Sequence, residues 1–260
     1  MKLEKLREER KKNKLKILIK DADEVFANTV RRLILEEVPT LAIEDLEIKE
    51  NTSALFDEMI GLRLGLIPIK TDLKTYELKE KCKCGGEGCA RCELKMTLKA
   101  SKKGYVYAEE AKSTDPKCTF VYPTMPIVKI LAKQKIDMQL TAVLGQGKKH
   151  IKWAPGTAFY RKEPVVKLGS VKDPQGIMDK CTDGLFELKG NKLSVVKENA
   201  YDSNLLEFYA ELDKEIKVEY TDNIIFDLES WGQLSFKEIL QAAGDILLEK
   251  IEAFEKALEA

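Results

Sequence analysis

Four cysteines lie close together in the sequence, at Cys82, Cys84, Cys89 and Cys92. Three glycines stand between them, and glycine permits the tight turns that closely spaced ligands require. Four thiolates without a nearby histidine form the ligand set of a structural zinc site, which leaves no coordination position open for catalysis. The spacing therefore predicts one tetrahedral zinc ion with a structural role. Free thiols or a redox pair are the alternative interpretation.

The strands that must position this loop are predicted from period-two alternation of apolar and polar residues. Residues 72–110 are predicted to form strands on both sides of the cysteine loop. Further strands are predicted over residues 14–20, 42–48, 135–144 and 215–228. The stretch 51–68 has no clear period, and residues 170–200 indicate short strands and turns.

Two helices are predicted in the body of the chain. The first begins at Asp21, a capping residue followed three positions later by Glu24, and it ends before Pro39, since proline disfavours helical geometry in the preceding residue. Residues 202–212 are predicted to form a short second helix.

The last helix has the clearest pattern in the chain. Ser235 and Glu238 form a capping box at its start, and it extends about 35 Å at about 1.5 Å per residue. An apolar stripe follows its length, formed by Phe236, Ile239, Leu240, Ala243, Ile246, Leu247, Ile251 and Phe254. The stripe can pack on its own domain's sheet or receive a partner helix. Its length and the scarcity of charge within it favour the partner.

Composition excludes some classes of function. Lys plus Arg number 44 and Asp plus Glu number 44, so the 260-residue chain has no formal net charge. A protein that binds nucleic acid by itself usually carries a basic surplus, although a component of a larger nucleic-acid machine need not. We expect no membrane span and no signal peptide, and hence a cytoplasmic protein whose cysteines are metal ligands or thiols rather than disulfides.

Several short segments have ordinary explanations when each is taken alone, and no pair of their residues supplies a nucleophile, a base and oxyanion donors. Their order and spacing is the informative feature. The segments are Phe26–Arg32, Ala42, Asn51–Ser53, Asp57–Glu58, Gly61–Pro68, Leu144–Trp153, Tyr160–Arg161 and Phe226–Leu234. Over nearly the whole chain this pattern closely resembles the DNA-directed RNA polymerase family that comprises the archaeal D-type subunit, the eukaryotic third-largest subunit and the N-terminal domain of the bacterial alpha subunit.

The resemblance implies an α+β fold in three parts. A discontinuous dimerisation domain of the alpha/D type is expected over 1–41 and 213–260, a mixed α+β insert domain over 42–168, and a small reduced third domain over 169–212. A zinc loop in the insert domain recurs in the family, here at 82–92. Some relatives hold an iron–sulfur cluster in the third domain. Since 169–212 contains only Cys181, and such a cluster needs three or four thiolates, none is expected here.

The resemblance also implies partners. The first and last helices are expected to pair with a small homologous subunit, called L in archaea. The heterodimer then nucleates assembly of the largest and second-largest catalytic subunits, with further small subunits, so that DNA is contacted only through the complex. The chain itself is expected to hold no catalytic residue. The expected interface residues are Phe26, Val30, Arg31, Arg32, Asp57, Glu58, Arg63, Phe236, Leu240, Ala243, Ile246, Leu247, Ile251 and Phe254.

Some roles stay open. Arg31, Arg32 and the segment 57–68 are expected near the second-largest subunit, with bracing of the domain junction as the alternative. His150, the only histidine, is expected to have an inter-subunit or structural role rather than a nucleic-acid contact.

Two rival functions compete for the cysteine loop. A stand-alone zinc-ribbon nucleic-acid module would need a basic excess around the cysteines, where acidic and basic residues instead balance. A thiol redox enzyme using Cys89 and Cys92 would need the pair at a helix N-terminus.

Overall fold

The computed structural model describes residues 1–259 of the chain. Within them, six α-helices and twelve strands confirm the expected α+β class. The helices are α1 Glu24–Arg32, α2 Asp57–Leu66, α3 Pro174–Lys180, α4 Lys197–Ala200, α5 Leu206–Leu212 and α6 Phe236–Glu259. None of the helices in the described part of the chain combines the length and apolar content that crossing a bilayer requires.

The strands are only partly interleaved with these helices along the chain. They are β1 Lys2–Glu9, β2 Lys14–Lys20, β3 Thr40–Asn51, β4 Glu93–Ala100, β5 Gly104–Tyr107, β6 Ala111–Ser113, β7 Pro126–Ile130, β8 Ile136–Gly145, β9 Gly156–Leu168, β10 Phe186–Lys189, β11 Lys192–Val195 and β12 Ile216–Ser230. The chain divides into two compact units. The first comprises Met1–Glu8, Leu15–Asn28 and Phe159–Asp227, and the second comprises Glu9–Lys14, Thr29–Ala158 and Leu228–Ala260. The three-part division expected from the resemblance stays a prediction.

The first unit contains most of a four-stranded sheet with the order β1-β2-β12-β9, together with the hairpin β10-β11. A separate small core of Ile177, Phe186, Tyr209 and their neighbours lies under the hairpin. Tyr201 packs with Leu18 of β2, and the side chain of Asp202 pairs with Lys16. These contacts fix residues 197–202 against the sheet.

The second unit contains the sheet β3-β8-β4-β6 and the ribbon β5-β7. β8 is central because it pairs antiparallel with β3 on one side and with β4 on the other. Its inward residues Met138 and Leu140 are fully buried in a core that also receives Ile60 and Leu64 of α2. One apolar cluster therefore holds both the sheet and α2 in place.

The start of the first helix differs from the sequence prediction. Asp21 has a left-handed backbone conformation, with φ at 56°. The cap is instead Asp23, whose carboxylate accepts a hydrogen bond from the Phe26 N–H at 2.8 Å. α1 continues into a π-turn over Leu33–Glu37 and ends before Pro39, so the predicted end is confirmed.

Most of the other helices and strands predicted from the sequence are confirmed, and one predicted strand is wrong. The strands near 14–20, 42–48, 135–144 and 215–228, the helix near the end of 202–212, and the capped terminal helix are confirmed. The strand expected before the cysteine loop is wrong, because Asp72 starts a turn and a 3-10 turn covers Lys79–Lys81. Three helices, α2, α3 and α4, were not predicted.

Candidate metal centre and partner surfaces

The four cysteines of the loop meet at one point in the structure. The sulfur of Cys82 lies 3.6 Å from that of Cys89, the sulfur of Cys84 lies 3.6 Å from that of Cys92, and all four lie within 4.8 Å of one another. Four sulfurs bound at about 2.3 Å to a tetrahedral ion are separated by about 3.8 Å. The spacing of the thiols therefore fits one tetrahedral metal ion.

The backbone between the cysteines adopts conformations that favour glycine. Gly85, Gly86 and Gly88 have φ values of 66°, 89° and 101°. The Gly85 N–H donates to the carbonyl of Cys82 at 3.1 Å, which closes the first turn. A Cβ at Gly88 would lie 2.6 Å from a carboxylate oxygen of Glu93. Gly88 is thus required by both its backbone conformation and its neighbour.

Surrounding charges hold the loop to the sheet. The mostly buried carboxylate of Glu93 pairs with Lys79 at 2.7 Å and with Lys95 at 2.9 Å. Arg91 donates to Glu77 at 2.6 Å across the base of the loop. These ion pairs tie the two ends of the loop to each other and to β4.

The four thiols differ in acidity. The backbone N–H groups of Gly88 and Gly86 lower the pKa of Cys84 to about 6, whereas burial raises the pKa of Cys92 to about 12. Cys92 is fully buried at the start of β4. A divalent cation stabilises the thiolate form of a coordinating cysteine, so the ion that fits this site would ionise the thiol that the protein alone keeps neutral.

The outer half of the terminal helix is apolar and exposed. The outer stripe, defined as Leu248, Ile251, Phe254 and Leu258, has exposed fractions between 46% and 72%. Nearer the start of α6, Ile239 and Ala243 are fully buried within the second unit. Packing within the unit therefore describes the first half of the helix, and pairing of the outer half with a partner helix stays a prediction. Leu248 and Leu258 were not among the predicted interface residues.

The second exposed apolar surface lies on α2. The α2 ridge, defined as Phe56, Met59, Leu62 and Leu66, is spaced at three, three and four residues and is 49% to 78% exposed. The opposite face of α2 carries the buried Ile60 and Leu64. Contiguous exposed apolar surface of this kind marks interaction sites.

The predicted polar interface residues near this ridge serve the fold as well. Asp57 accepts a hydrogen bond from the Asn51 amide at 2.7 Å, and Arg63 donates to the carbonyl of Pro126 at 2.9 Å. Glu58 lies exposed in the first turn of α2. These residues are therefore brought together with the ridge on one helix.

The predicted interface residues of the first helix are partly exposed. Phe26, Val30 and Arg31 are half-buried, and the exposed Arg32 pairs with Glu36 at 3.1 Å. In α6, Phe236, Leu240, Ile246 and Leu247 are half-buried as well, which leaves part of each side chain open.

Comparison with known proteins decides the family. Residues 46–157 match the family described as the RNA polymerase Rpb3/RpoA insert domain. The DNA-directed RNA polymerase subunit Rpo3 of Methanosarcina acetivorans is 33% identical over 242 residues, which are 91% of this chain and 91% of the relative. The chain belongs to the Rpo3 family. The Rpo3 proteins of Methanosphaera stadtmanae and Pyrococcus furiosus are each 34% identical, covering 90% and 96% of this chain and 91% and 95% of the relatives.

Membership of the Rpo3 family confirms the expected RNA polymerase subunit and its α+β fold. The segment Leu144–Trp153 of this Rpo3-family chain has a structural role. A Cβ at Gly145 would lie 2.4 Å from the Trp153 ring, and a Cβ at Gly147 would lie 1.9 Å from the carbonyl oxygen of Leu35. Lys148 pairs with Glu37 at 3.1 Å. The segment thus braces the end of the π-turn. Within it, His150 accepts a hydrogen bond from the Lys152 N–H at 3.1 Å, which favours the structural option of the inter-subunit or structural role expected for it.

The segment Phe226–Leu234 prepares the start of α6 in a similar way. The carbonyl of Pro155 accepts from the Trp231 N–H at 3.0 Å, and Gly232 has φ at 88°. Gln233 donates to the buried hydroxyl of Thr40 at 3.3 Å. In the Rpo3-family chain these contacts orient the terminal helix on the second unit.

Proposed function

We propose that this chain is the noncatalytic assembly platform of a DNA-dependent RNA polymerase, that it pairs with a small L-type subunit, and that the pair nucleates binding of the large catalytic subunits. The observation that carries the proposal is the outer stripe of α6, because an apolar helix face left 46% to 72% exposed needs a covering partner. Membership of the Rpo3 family supports the polymerase as its setting.

The α6 surface has the properties of a helix-pairing face. Leu248, Ile251 and Phe254 recur at three-residue steps, which places them along one side of the helix. Charged residues such as Lys250 on one side and Glu252 on the other flank the stripe and can set the partner's register, as charged flanks do in coiled coils. Phe26 and Val30 of α1 are proposed as further contacts with the small subunit.

The α2 ridge is proposed as the contact with the second-largest subunit. Its apolar residues lie beside Asp57, Glu58 and Arg63, so an apolar centre with a polar rim is present on one helix. Arg31 and Arg32 are proposed to lie near the same partner, and the largest subunit and other small subunits to join afterwards. The match of residues 46–157 to an insert domain supports assigning 42–168 to that part of the platform.

The ion of the cysteine loop is proposed to be structural zinc. Four soft thiolate ligands at tetrahedral spacing select zinc over the hard cations, which prefer oxygen. With four protein ligands no position remains for a substrate. The role of the ion is to hold the loop between Lys79–Lys81 and β4.

The pairing is tested by co-expression with a small L-type subunit and analysis by size-exclusion chromatography with light scattering. We expect the chain alone to self-associate and the pair to form a 1:1 heterodimer. The double substitution Ile251→Glu/Phe254→Glu should abolish the heterodimer, because it would bury two unpaired charges in the interface.

Lys256→Glu is the matched control. It changes the net charge by the same two units on a face of α6 turned away from the stripe, and we expect it to leave the heterodimer intact. A well-behaved monomer without affinity for the small subunit, or equal pairing by the double variant, would contradict the proposal.

A further inference from the structure

Two loops of the second unit lie side by side at one end of its sheets. Residues 101–103 connect β4 to β5, and residues 131–135 connect β7 to β8. The pairs Ala100–Ile136 and Gly104–Ile130 are direct cross-strand partners, so both loops leave the sheets at the same end. Residues that are far apart in sequence are thereby brought to one surface.

This surface, here called the lysine patch, is strongly basic. It consists of the exposed side chains Lys102, Lys103, Lys129, Lys133 and Lys135. The segments 94–108 and 116–136 contain no aspartate or glutamate, although the whole chain is neutral. Nearby Asp137 is already paired with Lys99 at 2.9 Å. Within residues 1–259 none of the five lysines forms an ion pair.

The type of cation indicates what the patch binds. Protein–protein interfaces are depleted in lysine, and carboxylates are recognised best by the planar fork of arginine. The patch contains five lysines and no arginine. Lysine carries a hydrated point charge on a flexible side chain, which suits the evenly spaced phosphates of a nucleic-acid backbone. Binding to such a backbone is driven by the release of counterions.

The aromatic residues beside the patch distinguish duplex from single strand. Proteins that bind single strands offer open aromatic faces on which bases stack. The ring of Tyr105 is 54% exposed but has the Lys129 ammonium 5.1 Å from its centroid, and the half-buried Tyr107 lies beside it at 6.2 Å. One ring beside the patch therefore already has a lysine over it and the other is half-buried, so that cations outnumber open stacking faces on this surface.

We propose that the lysine patch binds the phosphate backbone of duplex DNA without reading its sequence. The neutral charge of the whole chain limits the affinity, so a dissociation constant in the non-specific range of about 10⁻⁴ to 10⁻⁶ M at physiological salt is expected. The contact would add affinity for DNA to a subunit whose other surfaces bind protein.

The test is fluorescence anisotropy of the full chain with a labelled mixed-sequence duplex over a series of salt concentrations. Lys102→Gln/Lys103→Gln/Lys133→Gln/Lys135→Gln should weaken binding at least about tenfold. It should also make the slope of log affinity against log salt shallower by about three to four, since each phosphate contact contributes about 0.9. The double variant Lys133→Gln/Lys135→Gln should change the slope by about half as much as the quadruple variant. It keeps the test decisive if the quadruple variant does not fold.

The control Lys180→Gln/Lys189→Gln/Lys192→Gln/Lys217→Gln removes the same charge from exposed positions of the first unit and should change affinity less than about twofold. Equal losses in both variants would overturn the proposal, as would the absence of duplex binding at low salt. Tighter patch-dependent binding of single strands would also overturn it. So would equal displacement of the duplex by polyglutamate, which would assign the patch to an acidic protein.

Discussion

At the scale of single residues, the sulfurs of the cysteine loop are placed by backbone conformation rather than by side-chain packing. Three left-handed glycines turn the chain, and amide N–H groups point at the sulfur of Cys84. The glycines and cysteines are visible in the sequence, so the convergence of the four sulfurs could be predicted. The frame of Lys79, Glu93 and Lys95 could not, because it depends on which side chains meet across the loop.

The first residue-scale prediction concerns this site. Cys89→Ser should lower the metal content from about one ion per chain to nearly none, because three thiolates hold zinc far more weakly than four. Pairing with the small subunit should persist, since the loop lies outside α6. Elemental analysis of the purified variant measures the metal. Cys181→Ser, which alters a thiol outside the loop, should keep the full content, and four freely titratable thiols in the metal-replete wild type would contradict the prediction.

The second residue-scale prediction concerns Glu163, a buried carboxylate that no pattern in the sequence singles out. It accepts hydrogen bonds from the Tyr201 hydroxyl at 2.8 Å, the Asn223 amide at 2.8 Å and the Thr221 hydroxyl at 3.2 Å. Glu163→Ala should destabilise the first unit by about 2–3 kcal/mol, because it leaves these buried donors without a hydrogen-bond acceptor. Urea denaturation followed by circular dichroism measures the change. The exposed Glu187→Gln should cost less than about 0.5 kcal/mol.

The same carboxylate predicts a pH dependence. Burial alone would raise the pKa of Glu163, but hydrogen bonds from Asn223, Tyr201 and Thr221 hold it below the ordinary value of 4.5. Because the pKa of Glu163 is lower in the folded state, its ionised carboxylate contributes its full stabilisation at pH values above the ordinary pKa. That contribution is lost as the pH falls through the pKa of the folded state. The stability difference between wild type and Glu163→Gln should therefore shrink on acidification below pH 4.5. A difference that stays constant or grows would contradict this.

At the scale of elements, α2 shows why part of the fold escaped prediction from sequence. Its buried face carries Ile60 and Leu64, while Met59, Leu62 and Leu66 are apolar on the exposed face. A helix that is apolar on both faces has no period of 3.6 to detect, and Gly61 and Gly65 lower its intrinsic propensity. The missing period and the exposed apolar ridge, which we propose as a partner surface, have the same cause.

Other elements were predicted where the local signal agrees with the tertiary structure. In α6 the capping box is observed, with Ser235 N–H donating to Glu238 at 2.8 Å. Asp21 and Asp23 are both residue types that favour the N-cap position of a helix. The left-handed backbone at Asp21 places that residue outside the helix, so that Asp23 is the cap. The strand predicted before Cys82 is absent because the Asp72 carboxylate accepts hydrogen bonds from the Lys74 N–H and the Thr75 hydroxyl, which stabilise a turn. The alternation of apolar and polar residues does not report this local hydrogen bonding.

The element-scale prediction tests the α2 ridge. Met59→Glu/Leu62→Glu should leave the heterodimer with the small subunit intact but weaken recruitment of the second-largest subunit by at least about tenfold, because both charges would be desolvated there. Pull-down of the large subunit by the tagged heterodimer measures it. Lys112→Glu on β6 changes the charge equally at an exposed site and should have no effect. Full recruitment by the ridge variant would assign the ridge to another partner.

At the scale of the whole molecule, chemistry and assembly are separable. RNA polymerisation requires carboxylates that hold two magnesium ions at the phosphates of the nucleotide. Among the described residues, the cysteine loop is the one cluster of three or more metal-ligating side chains. Asp57, an acidic residue of the proposed contact with the second-largest subunit, accepts a hydrogen bond from Asn51 within its own unit. Substitution of Asp57 is therefore expected to affect docking of the second-largest subunit rather than nucleotide incorporation.

The last prediction follows from this separation. Polymerase reconstituted with Asp57→Ala, Arg32→Ala or Met59→Glu/Leu62→Glu should form in lower yield, because each change alters a proposed contact surface. Activity per assembled complex should stay within about twofold of wild type, less than about 0.5 kcal/mol in the barrier. Yield is measured by quantifying intact complex after size exclusion, and activity by nucleotide incorporation on a primed template by the same fractions. If the Asp57 variant assembles fully yet loses incorporation, the chain contributes to the reaction itself, and a platform role alone cannot account for it.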